Sequence, residues 1–200
     1  MKVLLVLVVL VLAAVVVALV LRQRKAAEQS SAKATQRQRP VDPLAPETAL
    51  SDPSRIQPGD VVHFDLKQWV VRGTISLDEG GDRWQEHLMD SGEETAWLSV
   101  EPGEGELEVA LWNRVLEPDL QPGASSVTHA GKQYTRVENG TANFTAVGTT
   151  GTSPSGRMEY YDYEDGPRLL AFERTEGRTS WEVSEGRTLR VAELDIYHRS

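Results

Sequence analysis

The sequence predicts an all-β domain of two similar antiparallel β-meander halves, packed as a sandwich or barrel and preceded by one transmembrane helix. Three observations indicate this architecture. From residue 55 onward the hydrophobic pattern has a period of two, with turns rich in Gly, Asp and Pro at about ten-residue intervals. Short segments of residues 55–119 recur in the same order in residues 120–200. The first 21 residues are almost entirely Val, Leu and Ala.

The amino-terminal run predicts a membrane anchor over residues 1–21. Residues 3–21 contain only Val, Leu and Ala. As a helix they would span roughly 28 Å, close to the ~30 Å hydrocarbon core of a bilayer. Arg22-Gln23-Arg24-Lys25 follows directly, where a cleaved signal peptide would have a site of small residues. We therefore expect a retained, single-pass anchor.

The charge distribution predicts the orientation of that anchor. Residues 1–40 contain seven Lys or Arg and one acid, and six of the seven lie after the apolar run. By the positive-inside rule, the carboxy-terminal domain is expected in the cytoplasm, at the cell inner membrane. Residues 22–54 are basic and then Pro-rich, which is typical of a linker. Their charges would also attract anionic headgroups.

Composition narrows the possible partners and chemistry. The net charge of the chain is −9, and residues 41–200 hold 14 basic against 29 acidic residues. This balance repels phosphate backbones, so we expect no nucleic-acid partner and instead a basic protein partner. The chain has no cysteine. Disulfides, thiolate metal sites and cysteine nucleophiles are therefore excluded.

An internal repeat supports the two halves. Lys67-Gln68-Trp69 returns as Lys132-Gln133-Tyr134, and the segment 83–92 matches 157–166 at an offset of 74 residues. The segment 98–101 returns as 170–173. This alignment places Trp97 opposite Leu169, a position that has only to be apolar. It therefore predicts that Trp97 packs in the core.

Tyrosines of the second half, together with Trp84 of the first half, are the weak binding candidates. Period two places Tyr161 and Tyr163 on one face of a strand and Tyr160 on the other. We expect one face to be buried and the other to form an exposed aromatic strip for a basic segment. The candidate binding residues are Tyr161, Tyr163 and Trp84.

No motif predicts catalysis or a metal. The four histidines, His63, His87, His129 and His198, are scattered without the spacing of a metal site. The acidic segment 162–166 lacks the ligand pattern of a calcium loop and is typical of a solvated hairpin turn. No nucleophile elbow or triad order is present. We therefore expect a protein that is not an enzyme and needs no cofactor.

Several strand motifs resemble a known family. They are Pro-Gly-Asp-Val-Val (58–62), Trp-Val-Val-Arg-Gly-Thr (69–74), Arg-Trp-Gln-Glu-His-Leu-Met (83–89) and Thr-Ala-Trp-Leu-Ser-Val-Glu (95–101). Over about residues 56–190 the chain resembles the bacterial family called domain of unknown function 4178, although His87 stands where an aromatic residue is more usual. The resemblance implies a shared fold and, loosely, a role in envelope stress. It implies no catalytic residue.

Two functions follow from the sequence. The first is a non-catalytic interaction or scaffold module at the inner membrane. The alternative is a small-ligand or lipid-binding β-barrel tethered to the membrane. A filled core with an exposed strand edge would favour the scaffold. A closed apolar cavity between the halves would favour the ligand barrel.

Overall fold

The computed structural model describes residues 52–103, 105–116 and 119–199. This part of the chain forms β-strands and two short 3-10 helices and contains no α-helix, so the prediction of an all-β domain is confirmed. The predicted anchor of residues 1–21 lies outside the described residues, as does nearly all of the predicted linker. Within the described part, no helix has the length and apolar character needed to span a bilayer.

The first half is a meander of five strands, each antiparallel to the next. The strands are β1 (Val61–Phe64), β2 (Lys67–Glu79), β3 (Asp82–Asp90), β4 (Thr95–Pro102) and β5 (Leu107–Arg114). The turn between β3 and β4 is closed by Asp90, whose Oδ1 accepts a hydrogen bond from the Gly92 N–H at 2.7 Å. Gly92 has a φ of 89°, which explains why glycine occupies this turn.

The second half repeats this order. Its strands are β6 (Ser126–His129), β7 (Lys132–Gly148), β8 (Ser155–Asp165), β9 (Arg168–Thr175) and β10 (Glu182–Leu189). The pairing also repeats, because Trp69 lies opposite Val62 in the first half and Tyr134 lies opposite Val127 in the second. The matches 67–69 with 132–134 and 83–92 with 157–166 therefore agree with the strand ladders.

The sequence alignment of β4 with β9 was wrong by two residues. His87 pairs with Leu98 in the first half, and Tyr161, 74 residues after His87, pairs with Phe172 in the second. Phe172 is therefore the equivalent of Leu98, and Ala171 is the equivalent of Trp97. The hairpin between β8 and β9 spans as many residues as the one between β3 and β4, so the offset does not change there.

The two meanders close into one barrel of eight antiparallel strands. β2 pairs with β7, and β5 pairs with β10, so the ring runs β2-β3-β4-β5-β10-β9-β8-β7. β1 and β6 lie outside this ring, each paired with the first residues of the strand that follows it. The barrel is one of the two packings that the sequence predicted.

A bulge in each long strand changes the face on which its side chains lie. The register shifts between Val71 and Gly73 in β2, and between Arg136 and Glu138 in β7. Before the shift, Val71 packs in the same cluster as residues of β1. After it, Ile75 packs against residues of β7 and β8. One extra residue therefore lets a single strand serve two hydrophobic clusters.

The apolar side chains form three clusters. The first core combines residues of β1 to β5 with residues near the carboxy terminus, and Val62, Met89 and Leu98 are fully buried in it. The second core lies in the other half, around Tyr163 and Phe172. A smaller seam cluster lies where β2 meets β7. Burial of this apolar area is the main favourable term for folding.

The last strand, β11 (Asp195–Tyr197), pairs with β1 and buries Ile196 in the first core. Fully buried Asp60 holds it in place. Its carboxylate accepts hydrogen bonds from the Arg199 N–H at 2.8 Å, from His198 Nδ1 at 2.9 Å and from the Gln57 N–H at 3.0 Å. Burial raises the pKa of Asp60, but these hydrogen bonds outweigh it and bring the pKa below its ordinary value.

Candidate functional site

A cavity of about 440 Å³ lies inside the eight-stranded ring. All eight strands contribute side chains to it, and so does the segment 150–152. In β4, β5, β8, β9 and β10 the lining residues alternate with residues of the two main cores. In β4, for example, Trp97, Ser99 and Glu101 face the cavity, whereas Ala96, Leu98 and Val100 pack in the first core. The cores therefore lie on the outer face of the ring, and the cavity lies on its inner face.

The first half supplies an aromatic wall to the cavity, formed by Trp84, Trp97 and Trp112. All three are partly buried. By the strand register, the equivalent positions of the second half hold Met158, Ala171 and Ser184. The two halves therefore share the same strand arrangement, but only the first half has tryptophan at these three positions.

A glycine on the neighbouring strand makes room for Trp112. Gly186 lies directly opposite Trp112, and a Cβ at Gly186 would be 2.4 Å from Cε3 of the indole ring. Only a residue without a side chain lets the ring lie in this place. On its other side, Trp112 Nε1 donates a hydrogen bond to Ser99 Oγ at 2.9 Å. Two neighbouring strands thus fix the ring in one orientation.

Trp84 is held by contacts from both halves. Its Nε1 donates to Glu86 Oε1 at 3.1 Å, two residues along β3. Its ring meets the ring of Tyr160, on β8, edge to face with the centroids 5.5 Å apart. Such pairs of aromatic rings add about 0.5–1.5 kcal/mol beyond the area they bury.

The second half supplies an acidic wall, formed by Glu138, Asp162, Glu173 and Glu182. The strand register places these side chains at positions that hold Gly73, Leu88, Ser99 and Ala110 in the first half. None of the four equivalents carries a charge. All three indole rings of the lining therefore come from the first half, whereas both halves contribute carboxylates, since the first half adds Glu79, Asp82, Glu86 and Glu101.

Two carboxyl groups meet across the cavity. Glu86, on β3, and Glu173, on β9, share a side-chain hydrogen bond, which requires one of them to carry a proton. Burial is the main cause that raises the pKa of both groups. The pair therefore holds one proton between the two halves at neutral pH.

Other acids of the lining reinforce this effect. Burial, followed by the negative charges of Glu86 and Glu138, raises the pKa of Asp162 to about 7. Burial and neighbouring acids likewise raise the pKa of Glu101. A carboxylate with a cationic neighbour would show the opposite direction. These pKa values therefore reflect a surplus of negative charge in an enclosed space.

Glu79 and Tyr160 form a hydrogen-bonded pair at the edge of the cavity. The Tyr160 hydroxyl donates to Glu79 and lies 3.2 Å from Glu138 Oε1, and the Thr141 N–H donates to Glu79 Oε1 at 3.2 Å. Burial and these acids raise the pKa of Tyr160, so its hydroxyl keeps its proton. Gly140 makes room for the pair, because a Cβ there would be 2.4 Å from the Glu79 carboxylate.

The two arginines of the lining lie beside a single acid. Arg178 Nη1 is 2.8 Å from Glu182 Oε1, and Arg114 Nη2 is 3.7 Å from the same oxygen. Among the described residues, no salt bridge joins the other acids of the lining to a Lys or Arg. The arginines therefore neutralise one corner of the cavity and leave the surplus elsewhere.

The aromatic residues that were predicted from the sequence as site or core residues lie in different parts of the structure. Trp84 and Tyr160 line the cavity. Tyr163 is fully buried in the second core, where its hydroxyl accepts from the Gly123 N–H and donates to the Ala124 carbonyl. Tyr161 is half-buried and its ring packs edge to face on Trp181. Trp97 lines the cavity and is only partly buried where it packs against the seam cluster. The prediction that Trp97 packs in the core, which rested on its match to Leu169, is therefore wrong.

The histidines lie apart, and each has a local role. Buried His87 pairs through Nδ1 with Thr74 Oγ1 at 2.9 Å, and burial lowers its pKa to about 4, so it is neutral. His198 contacts Asp60, His63 packs on Tyr197, and His129 lies 3.4 Å from Glu185. Among the described residues, no group of three or more His, Asp or Glu side chains is arranged to hold a metal ion.

Sequence reasoning missed most of the cavity lining. Single acids at alternate strand positions are typical of a solvated face, and nothing local distinguishes Glu86 or Glu173 from such residues. One signal was present. Where one half has Trp or Leu, the other has Ser or Asp at the matched position, and such divergence on one face of a repeat indicates a specialised surface.

Comparisons with known proteins match most of the chain. The family model for a domain of unknown function (DUF4178) matches residues 57–191. Uncharacterized proteins of Mycobacterium bovis and of two Mycobacterium tuberculosis strains are 36% identical over 163 residues, which cover 78% of this chain and 79% of theirs. No solved structure matches the chain.

Proposed function

The chain belongs to the DUF4178 family, and we propose that its β-barrel is a binding module that takes up a small molecule in the cavity between the two halves. This is the ligand-barrel alternative of the two functions predicted from sequence. The proposed ligand site is formed by the aromatic wall and the acidic wall together, so neither half is sufficient alone.

One observation carries this proposal. The seam cluster fills one side of the ring, but the rest of its inside is lined largely by carboxylates and indole rings, whereas both main cores lie on the outer face. A ring selected only for stability would be filled with aliphatic side chains, because burying carboxyl groups without cationic partners costs free energy. Groups retained at such a cost indicate a functional site.

The size and shape of the cavity fit this role. Its volume of about 440 Å³ lies in the range of roughly 300–1,000 Å³ that is typical of small-molecule sites. Its rim includes exposed Asp82, Glu101 and Arg114, so the interior is open to solvent on at least one side. Since the lining is polar as well as aromatic, an amphipathic ligand suits it better than a wholly apolar lipid.

The proposal is tested by filling the cavity. Ser184 lines it next to Ala171, and Ser184→Phe would place a ring where the first half has Trp112. The full chain, purified in detergent, is screened against small amphipathic molecules by the change in tryptophan fluorescence. We expect a ligand that binds the wild type and not Ser184→Phe. The matched control is Thr188→Phe, which adds the same ring at an exposed position of β10. Equal binding by all three proteins would place the ligand outside the cavity.

We further propose that residues 1–21 anchor this module in the inner membrane, with the barrel in the cytoplasm. The support is the uninterrupted apolar run and the basic residues that follow it. A reporter that is active only in the cytoplasm, fused after Ser200, tests the orientation. Activity of the fusion in intact cells is the expected result. A fusion that is active only with an external reporter would overturn the orientation.

A second candidate, an interaction module for a basic protein segment, is favoured by the edge of β6. β1 is covered by β11, whereas its equivalent β6 ends the sheet and has no further strand beside it in the described part of the chain. An open edge accepts an added strand. Thr128→Lys places a charge on this exposed edge. If β6 binds a basic segment, a partner cross-linked to the wild type in membranes should be lost from this variant.

A further inference from the structure

The charges of the cavity are not balanced by the protein. The lining contains eight acids and two arginines, and both arginines approach Glu182. The acids other than Glu182 are Glu79, Asp82, Glu86, Glu101, Glu138, Asp162 and Glu173. No salt bridge within the described residues reaches any of these seven. A positively charged guest would supply the partner that the fold leaves out.

Hydrogen bonds replace a cation at only some of these groups. Glu79 accepts from Tyr160 and the Thr141 N–H, and Glu86 accepts from Trp84. For Asp162, in contrast, the charges of Glu86, Glu138, Glu101 and Glu164 all raise its pKa, and no salt bridge within the described residues reaches it. The negative charge of the cavity is therefore least compensated on the acidic wall, beside Asp162 and Glu173.

The aromatic wall adds an independent requirement. The faces and edges of Trp84, Trp97 and Trp112 offer apolar surface that an inorganic ion would not use. Indole rings attract organic cations through the negative charge of their π face, and they also cover hydrocarbon. The guest therefore needs an apolar body as well as a positive charge.

Metal ions fit this arrangement poorly. A bound divalent cation needs several oxygen ligands that converge on one point. Among the described residues, no group of three or more acids or histidines does so. The carboxylates are instead spread along several strands, as they would be around a larger ion.

We propose that the cavity binds an amphipathic organic ammonium ion, whose apolar body lies on the aromatic wall and whose charged head lies beside Asp162 and Glu173 on the acidic wall. This inference rests on the proposed function and specifies its ligand class. It explains why the lining combines the indole rings of the first half with a surplus of carboxylates. It also explains why the carboxylates are retained without cationic partners.

Three compounds that share one body and differ in the charge of the head test this proposal. They are phenylbutylamine, a cation at neutral pH, phenylbutanol, which is neutral, and phenylbutyrate, an anion. Each is titrated calorimetrically into the full chain in detergent at pH 7.5. We expect the amine to bind about tenfold or more tightly than the alcohol, and the carboxylate to bind weakest, because hydrogen bonds to charged groups are stronger than neutral ones.

Variants assign the two walls separately. Asp162→Asn and Glu173→Gln should each reduce the preference for the amine over the alcohol by about tenfold, because each removes a carboxyl group that can ionise beside a bound ammonium ion and keeps the shape of the side chain. Trp97→Leu should weaken the binding of the amine and of the alcohol by the same factor. Glu185→Gln, an exposed acid of β10 outside the lining, is the matched control and should change neither affinity.

The outcomes distinguish this inference from the function on which it rests. If the alcohol or the carboxylate binds as tightly as the amine, the ammonium class is wrong, while binding in the cavity stands. A preference for the amine that survives both acidic-wall variants would also overturn the inference. If none of the three compounds binds at millimolar concentration, both the ligand class and the proposed function fail.

Discussion

Glu86 and Glu173 share one proton in a hydrogen bond that crosses the cavity from β3 to β9. The two residues belong to different halves of the molecule, and neither has an arginine or lysine beside it in the described residues. This bond joins the halves only while one carboxyl is protonated. A proton or a bound cation must therefore offset the negative charge at the centre of the barrel.

Glu173→Gln should stabilise the empty protein at alkaline pH. The amide can donate the hydrogen bond to Glu86 without a proton from solution, and it removes one of two like charges. Since one pKa unit corresponds to about 1.4 kcal/mol, we expect a gain on the order of 1 kcal/mol or more at pH 8. Thermal unfolding measures it. Glu185→Gln should leave the melting temperature nearly unchanged, and a destabilised Glu173→Gln would contradict the shared proton.

Asp162→Asn should reduce the loss of stability that accompanies rising pH. The pKa of Asp162 is about 7 in the folded protein, against an ordinary value of 3.8. Between these values the folded state binds more protons than the unfolded state, so its contribution to stability falls as pH rises from about 4 to about 7. The pKa of His87 is lowered, which gives the opposite slope below pH 6.5. His87 contributes equally to the variant and the wild type, so its contribution cancels when the unfolding free energy of one is subtracted from that of the other. That difference should grow in favour of the variant up to pH 7, and a constant difference would refute the prediction.

Two neighbours on β4 should respond differently to truncation. Leu98 is fully buried in the first core, so Leu98→Ala should cost about 2–5 kcal/mol. Trp97 faces the cavity and is only partly buried. Trp97→Ala should therefore lower the free energy of unfolding by less than Leu98→Ala does, although tryptophan has the larger side chain. Denaturant unfolding of the two variants checks the order. If Trp97→Ala destabilised the protein more than Leu98→Ala, Trp97 would be a core residue and not a residue of the cavity wall.

Gly186→Ala should displace Trp112. The new Cβ would lie 2.4 Å from the indole ring, so the ring or the strand must shift. Overpacking of this kind costs about 1–3 kcal/mol. In a Trp112→Leu background the clash is removed, and the same substitution should be close to neutral. A double-mutant cycle measures this coupling, and additive costs would show that the ring does not depend on the glycine.

Much of the fold could be predicted from period and turns. The strand positions and the repeat of 83–92 in 157–166 follow from local patterns that the ladders bear out. The slip that matched Leu98 with Leu170 arose because apolar residues recur every second position in β9. A shift by two keeps every side chain on the correct face, so the pattern alone could not detect it.

The site could not be predicted, because it depends on how two distant strands meet. Glu86 and Glu173 are separated by most of the barrel in sequence and contact only because β2 pairs with β7 and β5 with β10. The closure is made by ladders between the halves, and these have no turn or spacing signal. Trp97 was assigned to the core for the same reason, since the inner face of the ring exists only once it is closed.

Crystallography of the full chain with a bromophenyl analogue of phenylbutylamine tests the central claim most directly, because the anomalous signal of bromine locates the body of the ligand. We expect a bromine peak inside the ring beside Trp84, Trp97 or Trp112, with the ammonium group within hydrogen-bonding distance of Asp162 or Glu173. A bromine peak on the outer surface, or an ammonium group turned toward Arg114 and Arg178, would contradict it.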